Sequence, residues 1–168
     1  MFDKFGEFDS VEELNAAAAG LLDEGDADSI YALAEENGID KEDAEDYIAG
    51  AVPELANALM AALGKIKIES ADLEMDGILK DWTDATNDLC TEDVKICAAV
   101  RSRGKNLRDC MAALIKFSFE NKVHVSDKIV DVTKVMHGGK LVPMRKPLYL
   151  GVPNRVEAKR IIRDYYIK

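Results

Sequence analysis

Helix starts and stops follow one another so closely in this sequence that its first half has room only for short helices. Ser10-Val-Glu-Glu13 has the form of a capping box, in which a hydroxyl and a carboxylate satisfy N–H groups left free at a helix start. It predicts a helix over residues 11–23, ending before Gly25. Asp26 to Ser29 is a second start, followed by the apolar stripe Ile30, Leu33 and Ala34 and by the stop Asn37-Gly38. Asp40 then caps Lys41 to Ala49, with Ala44, Tyr47 and Ile48 facing inward and Gly50 ending the helix. Pro53, suited to a first helical position, opens another helix through Leu55, Leu59 and Leu63 to Gly64. Residues 1–64 therefore read as an acidic subdomain of four short helices.

Lys65 to Glu69 alternates Ile66 and Ile68 with charges, which reads as a short strand or a linker and marks the boundary to a second helical subdomain, residues 70–168. There the apolar spacing predicts a helix over 71–89, carrying Leu73, Leu79, Trp82 and Leu89, with Gly77 as its weak point. Thr91 caps a helix ending near Gly104, and Asn106 opens a longer one through Met111, Leu114, Ile115 and Phe119. Ser126-Asp127 starts a short helix to Val135. His137-Gly138-Gly139 is a turn, and Pro143 and Pro147 bar Leu141 to Leu150 from a central strand, which leaves an extended arm or an edge hairpin. Asn154-Arg-Val-Glu157 is a second capping box, opening a last helix with Val156, Ile161, Ile162 and Tyr165 inward. The expected fold class is mainly α: an N-terminal cluster of short helices, then a second helical subdomain with a short extended or hairpin segment near the C-terminus.

Charge divides along the same axis. Residues 1–99 hold 26 acids against 6 lysines, a net of −20, whereas residues 100–168 hold 6 acids against 16 bases, a net of +10. Such a split predicts two surfaces of opposite sign. Within the acidic part, Leu33-Ala34, Gly38-Ile39, Ala44 and Tyr47-Ile48 have the spacing of a helix-turn-helix. Its second helix opens Asp40-Lys-Glu-Asp-Ala-Glu-Asp46, five acids and one lysine, which a duplex carrying a negative charge about every 1.7 Å would repel. The alternatives are a structural hairpin with a solvated acidic face and a protein-docking surface. In the second case Glu35, Glu36, Asp40, Glu42, Asp43, Glu45 and Asp46, with Asp23, Glu24, Asp26 and Asp28 beside them, imitate a phosphate track and pair with the Arg and Lys of a nucleic-acid channel.

The basic part concentrates cations at Arg101, Arg103, Lys105 and Arg108, across a helix end and the next start, and on the last helix at Arg155, Lys159, Arg160 and Arg163. Three readings stay open for them: contact with RNA or DNA, pairing with the chain's own acidic half or a second copy, and a solvated surface.

Catalytic patterns are missing: no GxSxG, HExxH or P-loop spacing occurs, and His137 at its glycine turn has neither nucleophile nor second base beside it in sequence. Cys90, Cys97 and Cys110 are odd in number and lack CxxC spacing, so buried free thiols in a reducing compartment are expected, with no metal or other cofactor. No apolar run approaches the roughly 18 residues of a membrane span, and Met1-Phe2-Asp3-Lys4-Phe5 has no signal-peptide character. A cytoplasmic binder is expected rather than an enzyme or a membrane protein.

Residues 104 to 135 run Gly-Lys-Asn-Leu-Arg-Asp-Cys-Met-Ala-Ala-Leu-Ile-Lys-Phe and on through Val125-Ser-Asp-Lys-Ile129. This polar helix start, early cysteine, long apolar helix and short Asp-led helix resembles the PcfK-like proteins of conjugative elements. The opening Phe2-Asp-Lys-Phe-Gly-Glu-Phe-Asp-Ser10 is similar to small mobile-element and phage proteins of gut Firmicutes. Some PcfK-like members inhibit CRISPR-associated nucleases, so the resemblance implies an anti-CRISPR or accessory role and carries over no individual residue. The leading expectation is an inhibitor that occupies the basic channel of a CRISPR effector nuclease or another host nucleic-acid-binding protein. The other is a nucleic-acid-binding accessory protein of conjugation or phage replication, acting through the basic half; self-association is compatible with either.

Overall fold

The computed structural model describes residues 2–168. They form α1 (Val11–Asp23), α2 (Ala27–Glu36), α3 (Lys41–Ile48), α4 (Ala58–Asp72), α5 (Ile78–Glu92), α6 (Val94–Arg101), α7 (Leu107–Glu120), β1 (Val123–His124), α8 (Asp127–Val130), β2 (Lys134–His137), β3 (Lys140–Pro143), β4 (Tyr149–Leu150) and α9 (Arg155–Ile167). The mainly helical class with a hairpin near the C-terminus is the one the sequence predicts.

Caps set most of the starts. Ser10 Oγ accepts from Glu13 N, but the Glu13 carboxylate accepts from Asp9 N instead of Ser10 N. Asp26 caps α2 through Ser29 N at 3.0 Å, Asn106 caps α7 through Asp109 N at 2.8 Å, and Asn154 with Glu157 closes a full capping box on α9. Asp40 makes no side-chain cap; its carboxylate is taken by Lys67 at 2.8 Å.

Several boundaries differ from the expectation. α4 begins at Ala58, capped by Asn57, and Pro53 lies in the bend before it. It then passes through Gly64 and takes in Lys65 to Glu69, which are neither strand nor linker. Gly64 fails to stop the helix because its missing side chain serves a crossing. A Cβ there would sit 2.2 Å from Asn37 O, and one on Gly38, at φ +68°, would sit 2.4 Å from Gly64 O. The α2–α3 turn and α4 thus touch backbone to backbone, which glycine alone permits. The even alternation at 65–69 misleads because Lys65 and Glu69 are buried, one helical turn apart, with 3.8 Å between Nζ and Oε1. α5 starts only at Ile78, after Gly77 at φ +54°. Thr91 lies inside α5, and Asp93 caps α6 through Lys95 N. α8 stops at Val130, leaving Lys134 to His137 to pair with Lys140 to Pro143 through Gly138-Gly139, whose positive φ values meet the demand of a two-residue hairpin turn. On α9, Val156 is 79% exposed, and Ala158, Ile162 and Tyr166 face inward.

Two apolar clusters share α4. Ala61 packs with Leu14, Ile30, Leu33 and Tyr47 from α1–α3, whereas Ala62 and Ile66 pack with Trp82, Leu89, Val100, Leu114 and Ile162. Between them lies a polar seam. Lys65, with no exposed surface, donates to the Glu7 carboxylate at 2.5 Å and to the carbonyls of Lys105 and Ser102 at 2.7 and 3.2 Å. Glu69 accepts from Leu107 N at 2.7 Å, so it holds the free N-terminus of α7. Burial raises the Glu69 pKa, against the opposing pull of that N–H and of Lys65.

Candidate docking surfaces

The glycine crossing fixes α3 in place and turns its polar side outward. Leu33, Ala34, Ile39, Ala44 and Tyr47 are buried, while Glu35, Asp40, Glu42, Glu45 and Asp46 are exposed and Asp43 is half-buried. Two of these acids are engaged at the surface, Asp40 with Lys67 and Glu45 with Lys41 at 3.2 Å. Glu35, Glu42, Asp43 and Asp46 make no ion pair among the described residues. Asp43 and Asp46, with Glu54, line a hollow of about 240 Å³ whose other walls include Val52, Pro53, Leu55, Asn57 and Met60. Carboxylates beside apolar side chains have the chemistry to take the head and stem of a basic side chain.

Glu36 departs from the surface proposed for it. Its carboxylate turns back to accept the backbone N–H groups of Lys4 at 2.9 Å and Phe5 at 3.1 Å, so it fastens the N-terminal segment. Asp26 likewise has a structural part, its pKa lowered by the bonds from Ser29 that make it the α2 cap.

The cations that the sequence groups together are dispersed by the fold. Arg101 is 1% exposed, donates to Asn37 Oδ1 at 3.1 Å, and lies 5.9 and 5.8 Å from the ring centres of Phe2 and Phe8. Its expected place on a nucleic-acid surface is therefore wrong; it is a clamp between α2, α6 and the N-terminal segment, and burial lowers its pKa. Arg103 donates to the Glu7 carbonyl and approaches Glu13 at 3.8 Å. Lys105 donates to the Tyr165 carbonyl at 2.7 Å. On α9, Arg155 pairs with Asp88, Lys159 with Glu92 at 2.6 Å, and Arg163 with Asp93 at 2.7 Å. These bonds lower the pKa of Asp88 and Asp93. Arg108 and Arg160 face solvent with local acid partners, Asp109 and Asp164, and Arg160 also lies 6.0 Å from the ring centre of Phe117. Of the readings left open for these cations, pairing with the chain's own acidic half is the one the geometry displays for Arg103, Arg155, Lys159 and Arg163.

Positive charge without an internal partner lies elsewhere. Lys128, Lys134, Lys140 and Arg145, on and around the β2–β3 hairpin, make no ion pair among the described residues, while Lys146 pairs with Asp131. A sequence signal for them exists: lysines recur every six residues from Lys116 through Lys122, Lys128, Lys134 and Lys140 to Lys146.

The remaining chemistry-bearing groups are quiet. Cys90, Cys97 and Cys110 are free and buried, and burial pushes the thiols of Cys90 and Cys110 up to about 12. At neutral pH they stay protonated and poorly nucleophilic. His137 is exposed at the hairpin tip, in register with Lys140, and His124 lies edge-on to Tyr149 at 5.4 Å. A groove of about 610 Å³ between α4 and α5 carries the Lys80–Asp84 pair and the apolar side chains of Leu63 and Ile66. No helix among the described residues is long and apolar enough to cross a membrane. Comparison with known protein families, with curated proteins and with solved structures yields no match, so a functional reading rests on the geometry.

Proposed function

We propose that the protein is an inhibitor by occupancy: its α2–α3 face docks on the basic nucleic-acid channel of a partner protein and stands where phosphates would lie. The observation that carries this reading is the set of carboxylates Glu35, Glu42, Asp43 and Asp46, which make no ion pair among the described residues, with the last pair rimming a partly apolar hollow, on helices held by a backbone contact. A preformed surface loses little conformational freedom on binding, and that favours a rigid mimic over a flexible acidic tail. The partner's Arg and Lys would gain charge-assisted bonds like those they give to phosphate. The resemblance to PcfK-like proteins makes a CRISPR effector nuclease the partner class to test first, and a cytoplasmic site of action goes with it.

Ion-paired docking of this kind weakens as salt screens it. The test is inhibition and binding of a nuclease complex from the same host by the variant carrying Glu42→Lys, Asp43→Lys, Glu45→Lys and Asp46→Lys. With an unchanged circular dichroism spectrum, binding should weaken by about tenfold or more. Undiminished inhibition by that folded variant would sink the proposal.

A further inference from the structure

We propose that the hairpin arm is a separate contact surface for duplex DNA, a β-ribbon that enters the major groove without reading sequence. It is independent of the docking role given to α2–α3 and involves none of the same residues.

Residues 121–154 leave the helical body after α7 and return to it at α9. The base of this excursion is firmly held. β1 pairs with β4 through Val123 with Leu150 and His124 with Tyr149, Val130 is fully buried, and Gly151 lies so close to α7 that a Cβ would be 2.0 Å from Ser118 O. Beyond that base, β2 and β3 pair with each other and stand exposed. Strand alternation puts Val135 and Val142, both half-buried, on one face with His137 and Lys140 at the tip. The other face holds Lys134, Met136, Leu141 and Pro143, with Met136 69% and Leu141 65% exposed and directly cross-strand from each other.

Charge selects the occupant. The arm holds Lys122, Lys128, Lys134, Lys140, Arg145 and Lys146 against Asp127 and Asp131, a net of +4 in a chain of net −10. Five of those cations, all but Lys146, have no acid paired with them among the described residues, Lys122 lying over the Phe119 ring, whereas the cations of α9 are already matched by Asp88, Glu92, Asp93 and Asp164. Phosphates are the partner that such a distribution leaves room for. Shape narrows the choice further. Two strands about 4.8 Å apart make a ribbon that the roughly 12 Å major groove of B-form DNA admits, while the A-form major groove is too narrow for it. Met136 and Leu141 give the ribbon an apolar face for sugar edges, and the tip carries no Asn, Gln or Arg for bidentate contact to base edges, its Lys140 being left to phosphate. Pairing of hairpin edges between two copies is the competing occupant. It is opposed by Pro143 on β3, which has no N–H to give, and by Lys134 and Lys140 at the strand ends.

The measurement is fluorescence anisotropy of labelled 30-base-pair DNA of arbitrary sequence, titrated with the full chain across a salt series starting at about 50 mM. Four phosphate contacts predict a log–log salt slope of about −3 to −4, and Lys134→Glu with Lys140→Glu should cut affinity more than about tenfold and flatten the slope by about 2. Met136→Ser with Leu141→Ser should weaken binding while keeping the slope. Both pairs are exposed, so an unchanged melting curve is expected and is measured alongside. The proposal fails if the DNA is not bound at the lowest salt, if the Lys134 and Lys140 reversals leave binding intact, or if duplex RNA binds as well as DNA. Low-salt self-association in light scattering, abolished by the same reversals with no DNA bound, would assign the arm to a second copy instead. Absence of nuclease inhibition by the parent chain, or inhibition undiminished by the α3 reversals, with DNA binding retained, would overturn the α2–α3 reading alone.

Discussion

Replacing Gly64 by alanine tests whether the fold is organised as the backbone crossing implies. In an isolated helix the change stabilises by about 0.5–1 kcal/mol, because glycine loses more conformational freedom on folding than alanine does. In this protein the new methyl would lie 2.2 Å from the Asn37 carbonyl oxygen, where ordinary contact begins near 3.4 Å. The obstacle is main chain, so no rotamer change relieves it, and α4 must move away from the α2–α3 turn. Overpacking of this kind costs about 1–3 kcal/mol or more, and with the helix-propensity gain subtracted a net loss of about 1–2 kcal/mol is expected. For a chain of 168 residues that is a melting temperature lower by roughly 2–8 °C. Gly20 supplies the control: it lies in α1, and nothing is within 4 Å of its Cβ position. Gly20→Ala should therefore raise the midpoint while Gly64→Ala lowers it, in thermal and urea denaturation followed by circular dichroism. Equal stabilisation by both would refute the crossing, and with it the account of how α3 is held.

Two further outcomes concern the polar seam. The Glu69 carboxyl has its pKa raised in the fold, so the native state holds a proton that the unfolded chain gives up. This contribution to stability is present at low pH and is lost as pH rises from the unfolded value of about 4.3 through the raised folded one. Urea midpoints measured across that window should fall with pH less steeply for Glu69→Gln than for the parent. Arg101→Ala removes a fully buried guanidinium from beside Asn37, Phe2 and Phe8 and leaves the charges of Glu7 and Glu69 less compensated. It should destabilise by about 3–5 kcal/mol in urea denaturation, and a loss under about 1 kcal/mol would return Arg101 to the surface role.

Local chemistry made much of the fold legible. Ser10, Asp26, Asn106 and Asn154 each bond N–H groups two or three residues ahead, so each helix start is written in a few adjacent side chains. The inward positions Leu33, Ala34, Ala44 and Tyr47 were readable for the same reason, since helical spacing alone puts them on one face. The acidic character of α3 could also be read directly, because five acids in seven residues cannot all turn inward. Glu36 shows the limit of that reasoning, its carboxylate taken by the backbone of Lys4 and Phe5, more than thirty residues earlier in the chain.

What the sequence by itself determined is where the capped helices α1, α2, α7 and α9 begin, which faces of α2 and α3 are apolar, and on which stretch of chain each sign of charge lies, because all three depend on neighbours within a turn or two. Tertiary structure alone decided what Gly64 is for and which charges remain available. A glycine that ends a helix and one that lets two backbones touch look alike until the second backbone is present. Arg101 and Lys134 are both cations in a basic stretch, yet one is enclosed by Phe2, Phe8 and Asn37 and the other stands on an open hairpin. Charges act through space, so the surfaces that remain for a partner are settled only when the fold has chosen which acids and bases to bring together.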